Sequence, residues 1–531
     1  MIGVSRKQVK QATADSLLPA GIPFKVTQTP GRLRKSMLTT FDHLIVVAPT
    51  RPKASLWRDV PGLKSLQPRI RRLGKASAGR PLRSMVGSST TAATLGLLPP
   101  QKKGSGPLPA FSLLRFAGDL AADAIGDEPR SIGLLAHGFA AEDAERIVTA
   151  LLLALGARAW QPPAFRKDNR PAQLKKIQLL GLPAEIDLER VLAEAESANL
   201  VRGLTALPAN KLNASAYRGL LGELARQNGW EFEWLDEPAL ARLGAGAFLA
   251  VSQGNASRDA GIARLRYRPA GIARQPDLAL VGKGIIFDTG GTNTKSAKYM
   301  LDMHRDMSGS AVSLAVLQAL TALRSPLSID CWLAITENRS GPAAYKQRDV
   351  ITASNGVTIE VMHTDAEGRM VLADTLALAG REKPRLMIDY ATLTGACVHA
   401  LSERYSGVFS NRESLNELLV RTGRDSGERV WPFPMDDDFD DDLKSKVADV
   451  SQCSTGGEAD QILAARFLQR FVPETTTWIH MDLSSVTRKE GLGQMPGGFT
   501  GFGVRYSLAL LLDHAADLHE LAMPVTQPRH R

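Results

Sequence analysis

Acidic and basic side chains gather in two segments of the 531-residue chain. The first, VGKGIIFDTGGTNTKSAKYMLDMHRDMSG (281–309), carries Lys283 and Asp288 on an apolar run, then Gly290-Gly291, Lys295 and Asp306. The second, VMHTDAEGRMVLAD (361–374), carries Asp365, Glu367 and Arg369. Val357–Met362 reads as a strand and Met370–Ala379 as a helix, so Asp365 and Glu367 fall in the short loop between them. Carboxylates at i and i+2 beyond a strand end can point into one cleft. Asp288 and Asp306 would bring the total to four. Unpaired, such groups repel and raise each other's pKa. Divalent cations remove the repulsion, and two of them about 3.5–4 Å apart, bridged by shared carboxylates, make a hydrolytic centre. Each residue also has a plainer reading. Asp288 can cap a turn, Asp365 can cap the helix that follows, Glu367 suits a first helical turn, and Lys283 can be a solvated lysine. The joint pattern, not any single residue, favours the metal reading.

Other chemistries lack their signatures. VGKG (281–284) is not a phosphate loop, because Gly284 stands where the Ser or Thr after the lysine belongs. His519-Glu520 begins like a zinc-binding H-E-x-x-H, but Met523 replaces the second histidine. There is no G-x-S-x-G nucleophile elbow, and no histidine pair at ligand spacing. Cys331, Cys397 and Cys453 are too scattered for a disulfide framework or a cysteine zinc site, which suits a reducing compartment. No apolar run of about 18 residues signals a membrane span. A composition 44% hydrophobic and 23% charged is that of a globular chain. The net charge of +10 is uneven: residues 1–110 carry +16 and the rest −6.

The elements that must position these groups alternate. Asp277–Phe287, Ile329–Ile335, Leu386–Ala391 and Trp478–Leu483 read as strands. Met307–Leu323, Ile462–Phe471 and Tyr506–His514 read as helices between or after them. The fold class is therefore α/β, with a mainly parallel sheet covered by helices on both faces and ligands outside the carboxyl ends of its strands. Upstream, Phe41–Val47 and Ser131–Leu135 read as strands and Ala141–Leu155 as a helix, while 61–110 looks rich in loops. The expected domains are a basic leader over 1–37 with doubtful order, an N-terminal α/β domain over 38–183, a connecting helix over 184–206 and a catalytic domain over 207–531.

The two charged segments resemble the signature of the leucyl aminopeptidase (cytosol aminopeptidase) family. HTDAEGRMVLAD (363–374) is close to that family's most diagnostic stretch, and VGKGIIFDTGG with Lys295 and Asp306 matches its partner. The likeness continues through DYATLTGAC (389–397), GERVWPFP (427–434) and TGFGVR (500–505). It implies a two-metal aminopeptidase. Asp288, Asp365 and Glu367 would hold one cation, and Lys283, Asp288, Asp306 and Glu367 the other. Mn²⁺ and Zn²⁺ are the expected ions. Lys295 would stabilise the oxyanion, and Arg369 would hold a bicarbonate acting as general base. Met303, Thr392, Gly395 and Ala396 would line an apolar pocket for a Leu-like first residue. The resemblance further implies peptide substrates with a free N-terminus, a homohexamer and a cytoplasmic location.

Some positions depart from the family pattern. His363 replaces an asparagine and reads as a hydrogen-bonded supporting histidine rather than a ligand. Ser296 stands where proline is common, and STGGEADQI (454–462) is less glycine-rich and more acidic than usual. The basic front end motivates an alternative, a DNA-binding or structural member of the family, although no helix-turn-helix or interleaved aromatics accompany that charge.

Overall fold

The computed structural model describes residues 17, 21–31, 33–99, 107–167, 173–269 and 275–522. The N-terminal sheet contains β1 (Lys25–Thr29), β2 (His43–Pro49), β3 (Pro81–Met85), β4 (Ala92–Leu98), β5 (Ser131–Ala136) and β6 (Lys176–Leu180). Their order is β1-β6-β5-β2-β4-β3, parallel throughout except for β3. Two findings differ from the sequence reading. First, β1 lies inside the stretch assigned to a basic leader, because its partner β6 lies far downstream, with Lys25 opposite Lys176, and leaves no local trace; residues 1–16, 18–20 and 32 of that leader lie outside the described residues. Second, the stretch 61–110 holds a helix (Gln67–Leu73), β3 and β4 rather than loop alone. β4 reads AATLGLL, short on β-branched side chains, and is a strand because its centre is buried between β2 and β3.

A helix, Glu189–Ala206, joins the two domains and is pinned on both sides. Asn199 Nδ2 donates to the Gly156 carbonyl at 3.1 Å, and Arg202 bridges the Ala157 carbonyl (2.9 Å) and the Phe499 carbonyl (3.1 Å). Arg505 of the catalytic domain pairs with Glu194 on this helix at 2.5 Å.

The second sheet has eight strands. They are β7 (Glu231–Asp236), β8 (Gly261–Tyr267), β9 (Leu278–Asp288), β10 (Ile329–Asn338), β13 (Leu386–Ala391), β14 (Ser406–Ser410), β15 (Val430–Pro432) and β17 (Thr477–Asp482); β11 (Val350–Thr352), β12 (Thr358–Glu360) and β16 (Val450–Ser451) form a small separate sheet. The order is β15-β14-β17-β13-β9-β10-β8-β7. Four central strands, β17, β13, β9 and β10, run parallel, and antiparallel partners flank them. Along β9 successive residues serve two cores. Leu278, Leu280 and Ile286 pack with the helix Ser308–Ala322, while Ala279, Val281 and Ile285 pack with the helix Glu367–Gly380. Both cores dock their helices so that an end of each faces the carboxyl end of β9. Among the described residues, no helix is long and apolar enough to cross a membrane.

The helix Ser308–Ala322 approaches the sheet closely because it begins with Ser-Gly-Ser. A Cβ on Gly309 would stand 2.0 Å from the Tyr390 carbonyl oxygen of β13. Gly309→Ala should therefore push the helix off the sheet and lower stability by about 1–3 kcal/mol, the usual range for overpacking. Gly219, within the helix Ala214–Asn228, has nothing within 4 Å of its Cβ position. Gly219→Ala should raise stability by about 0.5–1 kcal/mol through helix propensity alone. Denaturant unfolding of the two variants, side by side, checks both signs.

Candidate active site

Lys283 lies midway along β9, and Asp288 ends that strand. Asp306 precedes the helix Ser308–Ala322, and Glu367 opens the helix Glu367–Gly380, where the helix dipole favours a carboxylate. Asp365 stands two residues earlier, and Lys295 lies in the loop after β9. All six meet at one wall of a cavity of about 520 Å³ at the carboxyl end of the sheet.

The arrangement is a set of carboxylates, buried except for the half-buried Asp365, cross-linked by two ammonium groups. Oxygens of Asp288, Asp365 and Glu367 lie within 4.8 Å of one another. Lys283 Nζ lies 2.8 Å from Asp306 Oδ2 and 2.9 Å from Glu367 Oε1, and donates to the Thr392 carbonyl at 2.9 Å. Lys295 Nζ lies 2.8 Å from Asp288 Oδ2 and 2.5 Å from Asp365 Oδ1. Lys283 fits because its neighbour on the facing helix is a glycine: a Cβ on Gly368 would stand 2.7 Å from Lys283 Nζ. Gly290, at φ +86°, turns the chain after Asp288 and donates its N–H to Asp288 Oδ1 at 2.8 Å.

Burial dominates the electrostatics. It pushes Asp365 up to about 7, helped by repulsion from Asp288 and Glu367. Glu367 likewise rises to about 7 through burial and the Asp288 charge. Asp306 is raised by burial too. Burial alone would lower the lysines, but the surrounding carboxylates outweigh it and hold both Lys283 and Lys295 protonated.

Supporting hydrogen bonds lock the two loops together. Asn338 Nδ2, at the end of β10, donates to Asp288 Oδ1 (2.8 Å) and to the Thr364 carbonyl (3.0 Å). Thr364 Oγ1 donates to the Gly290 carbonyl at 2.7 Å and accepts from the Asn293 N–H at 2.8 Å. Tyr345 Oη donates to the Thr364 carbonyl at 2.9 Å. Sequence reasoning missed Asn338, Tyr345 and Thr364. Only Asn338 left a signal, since it closes an apolar strand next in order to the one that ends in Asp288.

The remaining expected site residues divide. Met303, Thr392 and Gly395 line the cavity. Ala396 is not part of the wall. The helix Gly395–Leu401 instead presents Val398, one turn beyond Gly395 on the same face. His363 lines the cavity, and its Nδ1 accepts the Asp365 N–H at 3.3 Å. Burial and the Lys295 and Arg369 charges lower its pKa. Arg369 is buried behind the carboxylates and outside the cavity wall. Its Nη2 donates to Asp460 Oδ1 at 2.7 Å and its Nη1 to the Gln452 carbonyl at 3.2 Å.

The donor set suits hard divalent cations. Its oxygens are held in place, and Asp306 Oδ2 and Asp365 Oδ1 are buried with a lysine ammonium as their partner, at 2.8 and 2.5 Å.

Comparison with known proteins agrees with this geometry. Residues 199–508 match the catalytic domain of the cytosol aminopeptidase family. A probable cytosol aminopeptidase of Parasynechococcus marenigrum is 36% identical over 455 residues, covering 83% of this chain and 92% of that protein. Tomato leucine aminopeptidase superposes with a TM-score of 0.78 at 27% identity, covering 92% of this chain and 96% of that one. The bottromycin maturation enzyme BotP in complex with Mn superposes with a TM-score of 0.75 at 29% identity, covering 89% and 99%. The chain belongs to the cytosol aminopeptidase family and is a metallo-aminopeptidase.

Proposed function

We propose that this aminopeptidase removes Leu-like N-terminal residues from peptides with a pair of divalent cations. Asp288, Asp365 and Glu367 would hold one cation, and Lys283, Asp288, Asp306 and Glu367 the other. The observation that carries this reading is the packing of three carboxylates within 4.8 Å, beside Asp306, at the floor of a cavity. When bound, the ions would lower the pKa of a water and polarise the scissile carbonyl. Mn²⁺ and Zn²⁺ both suit the oxygen-rich set.

The chain's own groups divide the remaining work. Lys295 keeps its proton next to Asp288 and Asp365, so it brings a fixed positive charge to the site where an oxyanion develops. Lys283 Nζ has a lone pair to offer only after losing its proton, which its carboxylate partners now retain. Cation loading must therefore expel that proton. Met303 and Val398 give the cavity an apolar side, which supports a preference for Leu or Met at the first position.

The reading is tested with leucine anilide and its N-acetylated analogue, after chelation and after Mn²⁺ or Zn²⁺ addition. Only the free-amine substrate should be cleaved, and only with metal; cleavage of the acetylated analogue at an equal rate would refute an aminopeptidase. Lys295→Ala should lower kcat by about 10²–10³ with little change in KM, as for loss of an oxyanion donor. Stability should also respond to pH. Asp365 and Glu367 hold protons up to about 7 in the folded, metal-free chain, whereas unfolded carboxylates release them near about pH 4. The native state binds more protons across that window, so metal-free stability falls as pH rises through it. Bound cations replace those protons. The difference in Tm between Mn²⁺-loaded and chelated protein should therefore widen from about pH 5 to 8. A constant difference would remove this account of the cluster.

A further inference from the structure

Unlike Lys283 and Lys295, Arg369 makes no contact with the carboxylate cluster. It sits two residues beyond Glu367, its side chain is 3% exposed, and a guanidinium so buried requires an anionic partner. The partner comes from 91 residues away. Asp460 Oδ1 accepts from Arg369 Nη2 at 2.7 Å. The Gln452 carbonyl takes Nη1, while Nε is buried without a hydrogen bond. Asp460 opens the helix Asp460–Gln469, and the turn that delivers it holds Ala459 at φ +53°, a left-handed conformation unusual for a residue with a side chain. Its own side chain stays 32% exposed, so solvent reaches the pair from the Asp460 side. His363, in the cavity wall, is within electrostatic reach of both Arg369 and Asp460.

This contact does not fit the bicarbonate that family resemblance assigns to Arg369. A carboxylate and a bicarbonate present the same planar O–C–O edge to a guanidinium. Here Asp460 already takes Nη2 and the Gln452 carbonyl takes Nη1, so a dissolved anion would find only Nε free and would meet the negative charge of Asp460. We infer that Asp460 is the resident anionic partner of Arg369, taking the place of a dissolved oxyanion, and that turnover is independent of bicarbonate. Asp460 acts through Arg369 and is a positioning residue. The inference rests on the aminopeptidase reading for its kinetic consequence, but not for the anion site itself.

The test uses the full, metal-loaded chain in carbonate-free buffer, with Asp460→Ala and the shape-preserving Asp460→Asn as variants. Thermal melting and metal content establish that each variant folds. Calorimetric titration with sodium bicarbonate should reveal a saturable site in Asp460→Ala that wild type lacks. Wild-type turnover of leucine anilide should not change on adding bicarbonate. In Asp460→Ala, kcat should fall by about 10-fold or more with KM nearly constant, and bicarbonate or formate should restore it. The inference is overturned if wild type is stimulated by bicarbonate, if the variant keeps full turnover without anion, or if its loss is not restored by any anion. If neither protein cleaves a free-amine substrate, the hydrolytic reading fails, and the titration still decides the anion site.

Discussion

Three buried carboxylates and a half-buried fourth at the carboxyl end of one sheet cannot all be charged without compensating cations, and the rest of the catalytic domain is arranged around that constraint. Lys283 and Lys295 supply two positive charges, each shared by two carboxylates. The compensation is incomplete, since Asp365 and Glu367 still rise to about 7 under burial and mutual repulsion. A site in which protons linger on carboxylates at neutral pH is one that divalent cations can take over by displacing them. On the proposed reading, the ammonium cross-links and a bound cation pair are two states of one charge balance.

Close backbone approach makes that balance possible. Gly309 lets a helix start against β13, which sets Asp306 over Lys283. Gly368 leaves room for the Lys283 side chain on the opposite face. The hydrogen bonds of Asn338, Tyr345 and Thr364 then fix the Asp288 loop to the Asp365 loop. Such supporting bonds hold the carboxylate oxygens in position, as the proposed cation site requires. Arg369 stands apart, neutralised by Asp460 rather than by the cluster.

What the sequence revealed follows from how local each signal is. The central strands were legible because both faces are buried and their apolar runs are nearly continuous; β9 ends one residue later than the periodicity implied, which puts Asp288 in the ladder opposite Asn338. The seven charged candidates stand in two short motifs, and the structure brings six of them to one cavity wall. The flanking strands β7, β8 and β14 were not read: β7 is an edge strand with charged residues between its apolar ones, β8 interleaves Arg264 and Arg266 with apolar residues, and β14 has only Val408 and Phe409 as large apolar side chains. β1 and β4 depend on partners supplied elsewhere in the chain. The Arg369–Asp460 pair had only an acidic departure in 454–462 as its trace, with nothing to say which cation it would meet. The basic surface of the N-terminal domain was plain in the composition, and the catalytic centre makes no use of it.

Calorimetric titration of the metal-free chain with Mn²⁺, repeated in two buffers of different ionisation enthalpy, tests the charge balance most directly. It reports the number of cations bound and the protons expelled. The account predicts two cations per chain with net proton release near neutral pH, and a reduced count when Glu367 is replaced by Gln. Saturable binding with no proton release, or no binding at all, would contradict it.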